Sequence, residues 1–212
     1  MTSIDAAGLK TMFDAIAVAI EADKDRLCQL DGVIGDADHG IAMALGFNAA
    51  RDALASLDLA ATEPTALLNT AAKSFLNAVG ASSGPLYATA FMRGAAAVKG
   101  KATLADTDAI ALFQAMAQGI QDRGKAEIGE KTMVDAWLPA AQAAAAAHAD
   151  GKTLSESLAA ALEAAERGAD ATRDMIAAKG RSSRLGERSL GHMDPGAASA
   201  VTVIGAMRKS LA

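Results

Sequence analysis

Apolar residues recur along most of the chain at the alternating three- and four-residue spacing that gives a helix one buried face. In the first segment this stripe runs from Leu9 to Leu27, whereas charged residues such as Asp14 and Glu21 fall outside it. No segment shows the alternating β-branched and aromatic residues that are typical of strands. The pattern therefore predicts an all-α protein whose first helix ends at about Leu27. Seven further alanine-rich helices are predicted at residues 40–58, 65–79, 86–99, 106–123, 133–148, 154–178 and 196–211.

Three start signals support this division into helices. The segments 103–106 (Thr-Leu-Ala-Asp) and 153–156 (Thr-Leu-Ser-Glu) match a capping box or its aspartate variant, in which a hydroxyl and a carboxylate satisfy free backbone N–H groups of the first turn. Asp194 precedes Pro195, so that a capping carboxylate stands before a proline suited to the first helical turn. These signals predict helix starts near residues 106, 154 and 196.

The composition limits both the size of the fold and the class of ligand. A length of 212 residues fits one domain of roughly 100 to 200 residues, and we expect residues 1–212 to form a single unit. The chain is 51% hydrophobic but only 3% aromatic, so alanine supplies much of the core and lets helices pack closely. With few aromatic rings and a net charge of -5, the chain lacks the features of a nucleic-acid-binding protein. An anionic small ligand would need a bridging cation.

The sequence also predicts a cytoplasmic protein. Cys28 is the single cysteine and cannot form an internal disulfide bond, so nothing requires an oxidising compartment. The N-terminus lacks a basic head followed by an apolar segment, and no run reaches the ~18 apolar residues of a membrane span. We therefore expect no association with a membrane.

Glycine and charge concentrate in four segments between the predicted helices, at residues 31–40, 80–85, 123–131 and 179–196. In a ring of antiparallel helices, alternate loops lie at the same end. We therefore expect several of these segments to converge on one site.

The first segment has the residues of a metal site. Asp31, Asp36 and Asp38 lie within eight positions and are flanked by glycines, and such carboxylates repel one another unless a cation lies among them. Hard oxygen ligands suit Mg²⁺ or Ca²⁺, but the calcium-loop pattern fails because Gly40 and Phe47 occupy its fifth and twelfth positions. Mg²⁺ fits better. The alternative is that these residues are solvated turn and cap residues.

The other three segments leave several interpretations open. Residues 80–85 form a glycine- and serine-rich turn before a helix, which suits an anion at the helix N-terminus or is a plain interhelical turn. Residues 179–196 hold four basic residues in ten positions, which suits a phosphate or is a solvated loop. Glu127 and Glu130 resemble half of the acidic Mg²⁺ site of all-helical nucleotide pyrophosphatases, but the second half is missing, so residues 123–131 are interpreted as a solvated loop.

Taken together and in order, these four segments resemble the nucleotide-binding L subunit family (DhaL) of bacterial dihydroxyacetone kinases. The longest match is the segment 179–196, which contains Gly-Glu-Arg-Ser and Asp-Pro-Gly. The resemblance extends over nearly the whole chain. The other matching segments are residues 34–40, 81–87, 123–127 and 131–133.

The resemblance implies an eight-helix antiparallel up-and-down barrel that holds ADP or ATP at one end through two Mg²⁺ ions. No side chain acts as a nucleophile in this family, because the bound Mg-nucleotide itself carries the phosphoryl group. At Ala42 the sequence departs from the family, which usually has asparagine there. The metal ligands implied by position are Asp31, Asp36 and Asp38. The implied nucleotide contacts are His39, Gly40, Ile41, Ala42, Ser82, Ser83, Gly124, Met133, Arg181, Asp194, Pro195 and Gly196.

The resemblance also implies partner subunits. In this family a separate K subunit holds dihydroxyacetone, and in phosphoenolpyruvate-linked systems a phosphohistidine subunit of M type rephosphorylates the bound ADP. A chain that starts at its own Met1 favours this arrangement over a fused kinase. The alternatives are an ATP-exchanging kinase subunit for a related short keto-sugar and a nucleotide-sensing adaptor that docks a transcription regulator.

Overall fold

The computed structural model describes residues 4–80 and 82–211. Met1, and Ala81 at the start of one matching segment, lie outside this range. The described residues form eight α-helices, two short 3₁₀ helices and one isolated antiparallel bridge between Ile4 and Leu104. The helices are α1 (Ala6–Ile34), α2 (His39–Leu54), α3 (Pro64–Ala78), α4 (Ser83–Ala97), α5 (Asp106–Gly124), α6 (Val134–Ala149), α7 (Leu154–Ala171) and α8 (Pro195–Leu211), and the 3₁₀ helices are Thr172–Asp174 and Arg181–Ser189.

The eight α-helices form a closed ring. Each helix packs against the helices that precede and follow it in the chain, and α8 packs against α1. All connections are short except residues 172–194 between α7 and α8, and neighbouring helices run in opposite directions. The all-α class and the up-and-down barrel are thereby confirmed.

The few aromatic side chains gather inside this ring. The rings of Phe47 and Phe75 meet edge to face with centroids 5.1 Å apart, and the Phe13 and Phe91 rings do the same. Small residues let the helices approach one another around this cluster. A Cβ atom at Gly46 would overlap with the ring of Phe75, so this glycine is required for the contact between α2 and α3.

Several predicted boundaries differ from the structure. Helix α1 continues to Ile34 instead of ending at about Leu27 because Leu27, Asp31 and Ile34 continue its buried face at four- and three-residue spacing. Asp31 is therefore a helical residue. Helix α2 ends at Leu54 instead of residue 58, and α4 begins at Ser83 instead of residue 86.

Helix α7 ends at residue 171 instead of 178, where the 3₁₀ turn Thr172–Asp174 follows. The Thr172 hydroxyl donates to the Ala169 carbonyl at 2.6 Å and accepts from the Asp194 backbone N–H at 2.9 Å. Thr172 therefore turns the chain out of the helix and connects it to the start of α8.

Two of the three predicted caps are confirmed. Thr153 and Glu156 form the reciprocal capping box, and Asp194 Oδ2 accepts from the Ala197 N–H at 2.7 Å. The cap predicted at Thr103 is wrong, although the helix begins at residue 106 as expected. Residue 104 is held by backbone hydrogen bonds to Ile4, and the Asp108 carboxylate instead accepts from the Ala105 N–H at 3.1 Å.

The described helices do not have the properties of membrane spans. Within residues 4–80 and 82–211, none combines the length and the apolar character needed to cross a bilayer.

Candidate functional site

One end of the barrel carries a cavity of about 520 Å³, within the ~300 to 1,000 Å³ common for small-molecule sites. Its lining comes from the connections that follow α1, α3, α5 and α7. These connections share an end because the helices alternate in direction. The four glycine-rich and charged segments therefore converge as expected.

Most of the predicted site residues border this cavity. Two do not. Gly40 packs behind the site, where a Cβ atom would overlap with the carbonyl oxygen of Lys24, and Ile41 is 50% exposed on the outside of α2. Those that line the cavity are Asp31, Asp36, Asp38, His39, Ala42, Ser82, Ser83, Gly124, Met133, Arg181, Asp194, Pro195 and Gly196.

The three aspartates form a cluster at one side of the cavity. A carboxylate oxygen from each of Asp31, Asp36 and Asp38 lies within 4.8 Å of the others. Asp31 is buried in the last turn of α1, and its Oδ2 accepts from the backbone N–H groups of Asp38 and His39 at 2.9 and 3.2 Å. Asp36 and Asp38 are exposed and flank Ala37, whose φ of 64° is left-handed. The buried carboxylate thus holds the turn that brings the two exposed ones beside it.

The cluster has the chemistry of a divalent-cation site. Its donors are carboxylate oxygens, the ligands that Mg²⁺ prefers, and two of them face solvent, which leaves room for the water molecules that Mg²⁺ retains. In this structure the Arg181 guanidinium forms an ion pair with Asp36. The segment 179–196 thus supplies a positive side chain that contacts the cluster.

Four helices begin at this end of the barrel: α2, α4, α6 and α8. The first backbone N–H groups of a helix lack intrahelical partners, and the helix dipole places positive potential there. His39, Ser83 and Pro195, the first residues of α2, α4 and α8, all border the cavity. Their convergence places positive potential close to the acidic cluster. The His39 N–H already donates to Asp31 and Pro195 has no N–H, so backbone donors for an anion come from other residues of these first turns.

Other parts of the cavity wall are apolar. The apolar side chains come from α4, α5, the connection after α5 and the start of α6, and they are Leu86, Ile120, Ala126, Met133 and Val134. The cavity therefore combines an acidic cluster, helix N-termini and an apolar surface, which suits a ligand with a charged part and an apolar part.

Lys131 is a site residue to which sequence reasoning assigned no role. It is 1% exposed and borders the cavity, and its Nζ donates to the Thr172 and His192 carbonyls at 2.5 Å each. Burial lowers its pKa, and the nearby Asp194 carboxylate opposes this shift. Lys131 therefore ties the connection after α5 to the connection after α7. The position of Lys131 in a segment that matches the family could have indicated a site residue. Its burial, on which its role depends, cannot be inferred from the sequence.

Two buried aspartates accompany Lys131. Asp135 accepts from the backbone N–H groups of Gly129 and Thr132 at 2.6 and 2.7 Å, which fixes the loop before α6. Burial raises the pKa of Asp194 to about 7, opposed by the hydrogen bond from Ala197. A desolvated group of one cation and two carboxyls thus lies at the cavity, with Lys131 and Asp194 in its lining and Asp135 beside them.

His39 connects the acidic cluster to α8. The side chain is partly buried, and its Nε2 lies 2.9 Å from the Ser199 hydroxyl. Burial lowers the pKa of His39, and the neighbouring Asp31 carboxylate opposes this shift.

Comparison with known proteins gives a consistent result. Residues 33–209 match the DAK2 domain family (Dak2). The chain is 35% identical over 208 residues to the ADP-binding subunit DhaL of PEP-dependent dihydroxyacetone kinase 2 of Listeria innocua, covering 98% of this chain and 96% of that protein. It is 39% identical over 177 residues to the ADP-binding subunit DhaL of the PEP-dependent dihydroxyacetone kinase of Escherichia coli, covering 84% and 83%.

A solved structure agrees with these matches. The dihydroxyacetone kinase of C. freundii in its native form aligns with a TM-score of 0.74 and 25% sequence identity over 96% of this chain. This chain spans only 34% of that kinase. The resemblance found in the four segments is confirmed: the chain belongs to the DAK2 domain family and, within it, to the DhaL group.

Proposed function

We propose that this chain is the ADP-binding subunit of a dihydroxyacetone kinase, which carries a phosphoryl group as Mg-bound nucleotide and transfers it to dihydroxyacetone on a separate K subunit. The observation that carries the proposal is the placement of the acidic cluster beside the helix N-termini in a cavity of a DhaL-group chain. The relatives at 35% and 39% identity are ADP-binding subunits.

In this proposal Asp31, Asp36 and Asp38 hold two Mg²⁺ ions, whose charge neutralises the phosphate oxygens during transfer. Asp31 is fixed by two backbone N–H groups, so the cluster keeps its shape without a ligand. Arg181, which pairs with Asp36 in this structure, then becomes available to bind phosphate oxygens through its guanidinium group.

The nucleotide contacts follow from the cavity lining. Ser82 and Ser83, at the start of α4, offer hydroxyl and backbone donors to the phosphates. Gly124 and Met133 lie on the apolar part of the wall and flank the base. Further contacts are proposed for His39, Ala42, Asp194, Pro195 and Gly196.

Gly40 and Ile41 contribute to the proposed site through their backbone N–H groups alone. Both belong to the first turn of α2, although neither side-chain position borders the cavity. The methyl group of Ala42 has no hydrogen-bonding atom, and its backbone N–H donates to the Asp38 carbonyl at 2.9 Å, so the contact proposed for this position is van der Waals packing.

The chain has no role for an attacking side chain in the reaction. Phosphoryl transfer mainly requires that donor and acceptor be aligned and that charge be neutralised. Residues of the four connections would align the terminal phosphate toward the open end of the barrel, where a partner presents the acceptor hydroxyl. The proposed partners are the K subunit and, for rephosphorylation of ADP, a phosphohistidine subunit of M type. A cytoplasmic location and a single domain over residues 1–212 belong to the same proposal.

Two measurements test the proposal. Equilibrium binding of ADP to the purified chain is expected to depend on Mg²⁺, and loss of ADP on addition of a chelator is the expected control. Phosphoryl transfer to dihydroxyacetone is then measured with K and M subunits and phosphoenolpyruvate. Absence of Mg²⁺-dependent ADP binding would contradict the proposal.

The same assays separate the alternatives. Rapid ADP release and turnover with ATP alone would favour an ATP-exchanging kinase subunit for a related keto-sugar. Nucleotide binding without any transfer would favour a sensor that docks a transcription regulator.

A further inference from the structure

Ser199 is a buried polar residue for which the proposed function has no role. It lies in the second turn of α8, is 0% exposed, and is separated from His39 by 160 positions in the chain. Its hydroxyl nevertheless lies 2.9 Å from His39 Nε2. The contact joins α8 to the first residue of α2, directly beside the acidic cluster.

The direction of this hydrogen bond follows from counting protons. A serine hydroxyl has one proton to donate, and Ser199 donates it to the Gly196 carbonyl at 2.9 Å. Toward His39 the hydroxyl oxygen therefore acts as acceptor. His39 must donate, which places the proton of the neutral ring on Nε2 and leaves Nδ1 with a lone pair.

A lone pair on Nδ1 restricts what this ring binds. Phosphate oxygens accept hydrogen bonds, so a neutral ring with a free Nδ1 donates none to them, and the nucleotide contact proposed for His39 is then indirect, through the bound cation. A free Nδ1 instead suits a donor or a cation, such as a water molecule bound to a metal ion. His39 follows Asp38 in the chain, and its backbone N–H donates to Asp31, so the ring lies next to the carboxylates that would hold such an ion.

We propose that Ser199 is a positioning residue that fixes His39 as the Nε2–H tautomer, so that Nδ1 accepts a hydrogen bond from the hydrated divalent cation at the aspartate cluster. The role assigned to the cation rests on the proposed function. The tautomer itself is a property of the free chain. Groups behind metal-site residues commonly fix orientation and tautomer in this way.

The first test measures the tautomer directly in the free protein. In ¹⁵N NMR spectra of a neutral imidazole, the protonated and unprotonated nitrogens have distinct chemical shifts, and the chain has only three histidines to assign. We expect the Nε2–H form to dominate for His39 in the wild type and to lose its dominance in Ser199→Ala. A wild-type ring protonated mainly on Nδ1, or an unchanged ring in Ser199→Ala, would overturn the proposal.

The second test measures the Mg²⁺ concentration that gives half-maximal ADP binding. Removal of an outer-shell partner commonly costs about 10- to 100-fold in metal affinity, so Ser199→Ala is expected to raise this concentration by about tenfold. Ser199→Thr, which keeps a hydroxyl, is expected to restore most of the affinity. An equal Mg²⁺ requirement in Ser199→Ala and the wild type would overturn the proposed role.

Ser157 provides a matched control. It is also a 0% exposed serine on a helix, but its hydroxyl has no hydrogen-bond partner among the described residues. Ser157→Ala makes the same chemical change and is expected to alter neither the His39 spectrum nor the Mg²⁺ requirement. If the wild type bound no Mg-ADP, the proposed function would fail, whereas the NMR result would still decide the tautomer.

Discussion

At the scale of single residues, Asp31 differs from the other two aspartates of the cluster. It is buried, and its two backbone hydrogen bonds hold the turn that carries Asp36 and Asp38. Of the exposed pair, Asp36 forms the ion pair with Arg181, which the proposed function would replace by a metal ion. We therefore expect substitutions at Asp31 to disturb the turn and those at Asp36 to affect ligand binding alone.

Asp36→Asn tests this difference. The substitution removes one negative charge from the proposed metal site but no contact in the core, so it is expected to weaken Mg²⁺-dependent ADP binding by tenfold or more and to abolish phosphoryl transfer. Helicity by circular dichroism should stay nearly unchanged. Asp52→Asn, at an exposed aspartate of α2, is the control and should bind ADP like the wild type. Unchanged binding in Asp36→Asn would remove Asp36 from the metal site.

Asp194 gives the stability a characteristic dependence on pH. Its pKa in the folded protein is raised to about 7, whereas an aspartate in an unfolded chain titrates at about 3.9. Between these values the folded state binds a proton that the unfolded state has lost. The contribution of Asp194 to the free energy of unfolding is therefore complete below about pH 4 and falls as the pH rises to about 7.

Asp194→Asn removes this titration and keeps a side chain able to cap α8. The free energy of unfolding of the wild type minus that of the variant is expected to fall by up to a few kcal/mol between about pH 4 and pH 7. Urea unfolding at a series of pH values without Mg²⁺ measures this difference, in which titrating groups that do not interact with Asp194 cancel. A difference that is constant or increases with pH would contradict the raised pKa.

At the scale of helices, Gly46 and Gly205 differ in the space available for a larger side chain. A Cβ atom at Gly46 would overlap with the Phe75 ring, whereas a Cβ atom at Gly205 would meet Leu162 at 3.7 Å, an ordinary contact. Both positions are helical. The packing of α2 against α3 therefore limits the first position, and only intrinsic helix propensity governs the second.

Gly46→Ala and Gly205→Ala form a matched pair. The first is expected to destabilise the protein by about 1 to 3 kcal/mol through overpacking, and the second to stabilise it by up to about 1 kcal/mol because alanine favours the helix. Thermal and urea unfolding of both variants measure the change. Equal effects of the two substitutions would indicate that the contact at Phe75 relaxes without cost.

The helices were largely predictable because their apolar residues follow a regular spacing, and caps such as Thr153 have a local pattern. The hydrophobic pattern fails where a polar residue lies on the buried face of a helix. Asp31 is such a residue, and the pattern therefore placed it in a loop. Likewise, Gly40 resembles a phosphate-loop glycine but is needed for packing against Lys24. The role of Lys131 depends on carbonyls 41 and 61 positions away, which local sequence does not reveal.

At the scale of the whole molecule, the cavity belongs to no single element, because four connections and four helix starts build it. A ligand that contacts all of them links segments that otherwise open independently. Binding of Mg-ADP is therefore expected to stabilise the connections at one end of the barrel together.

Hydrogen exchange measures this effect. With saturating Mg-ADP, we expect slower exchange at residues 35–38, 125–133 and 172–194, and unchanged exchange in the connections at the opposite end, such as residues 55–63 and 98–105. The opposite end is the internal control. Equal protection at both ends would indicate a global change in stability instead of a local site.

The closure of the ring by α1 and α8 has a consequence for chain connectivity. Residue 4 pairs with residue 104 at the end opposite the cavity, and α8 ends at that same end beside α1. The beginning and end of the barrel are therefore neighbours in space, far from the site. A circular permutant that joins them by a short linker and opens the chain between α4 and α5 would keep all four site connections intact. The site depends on the cyclic order of the helices and not on which helix comes first.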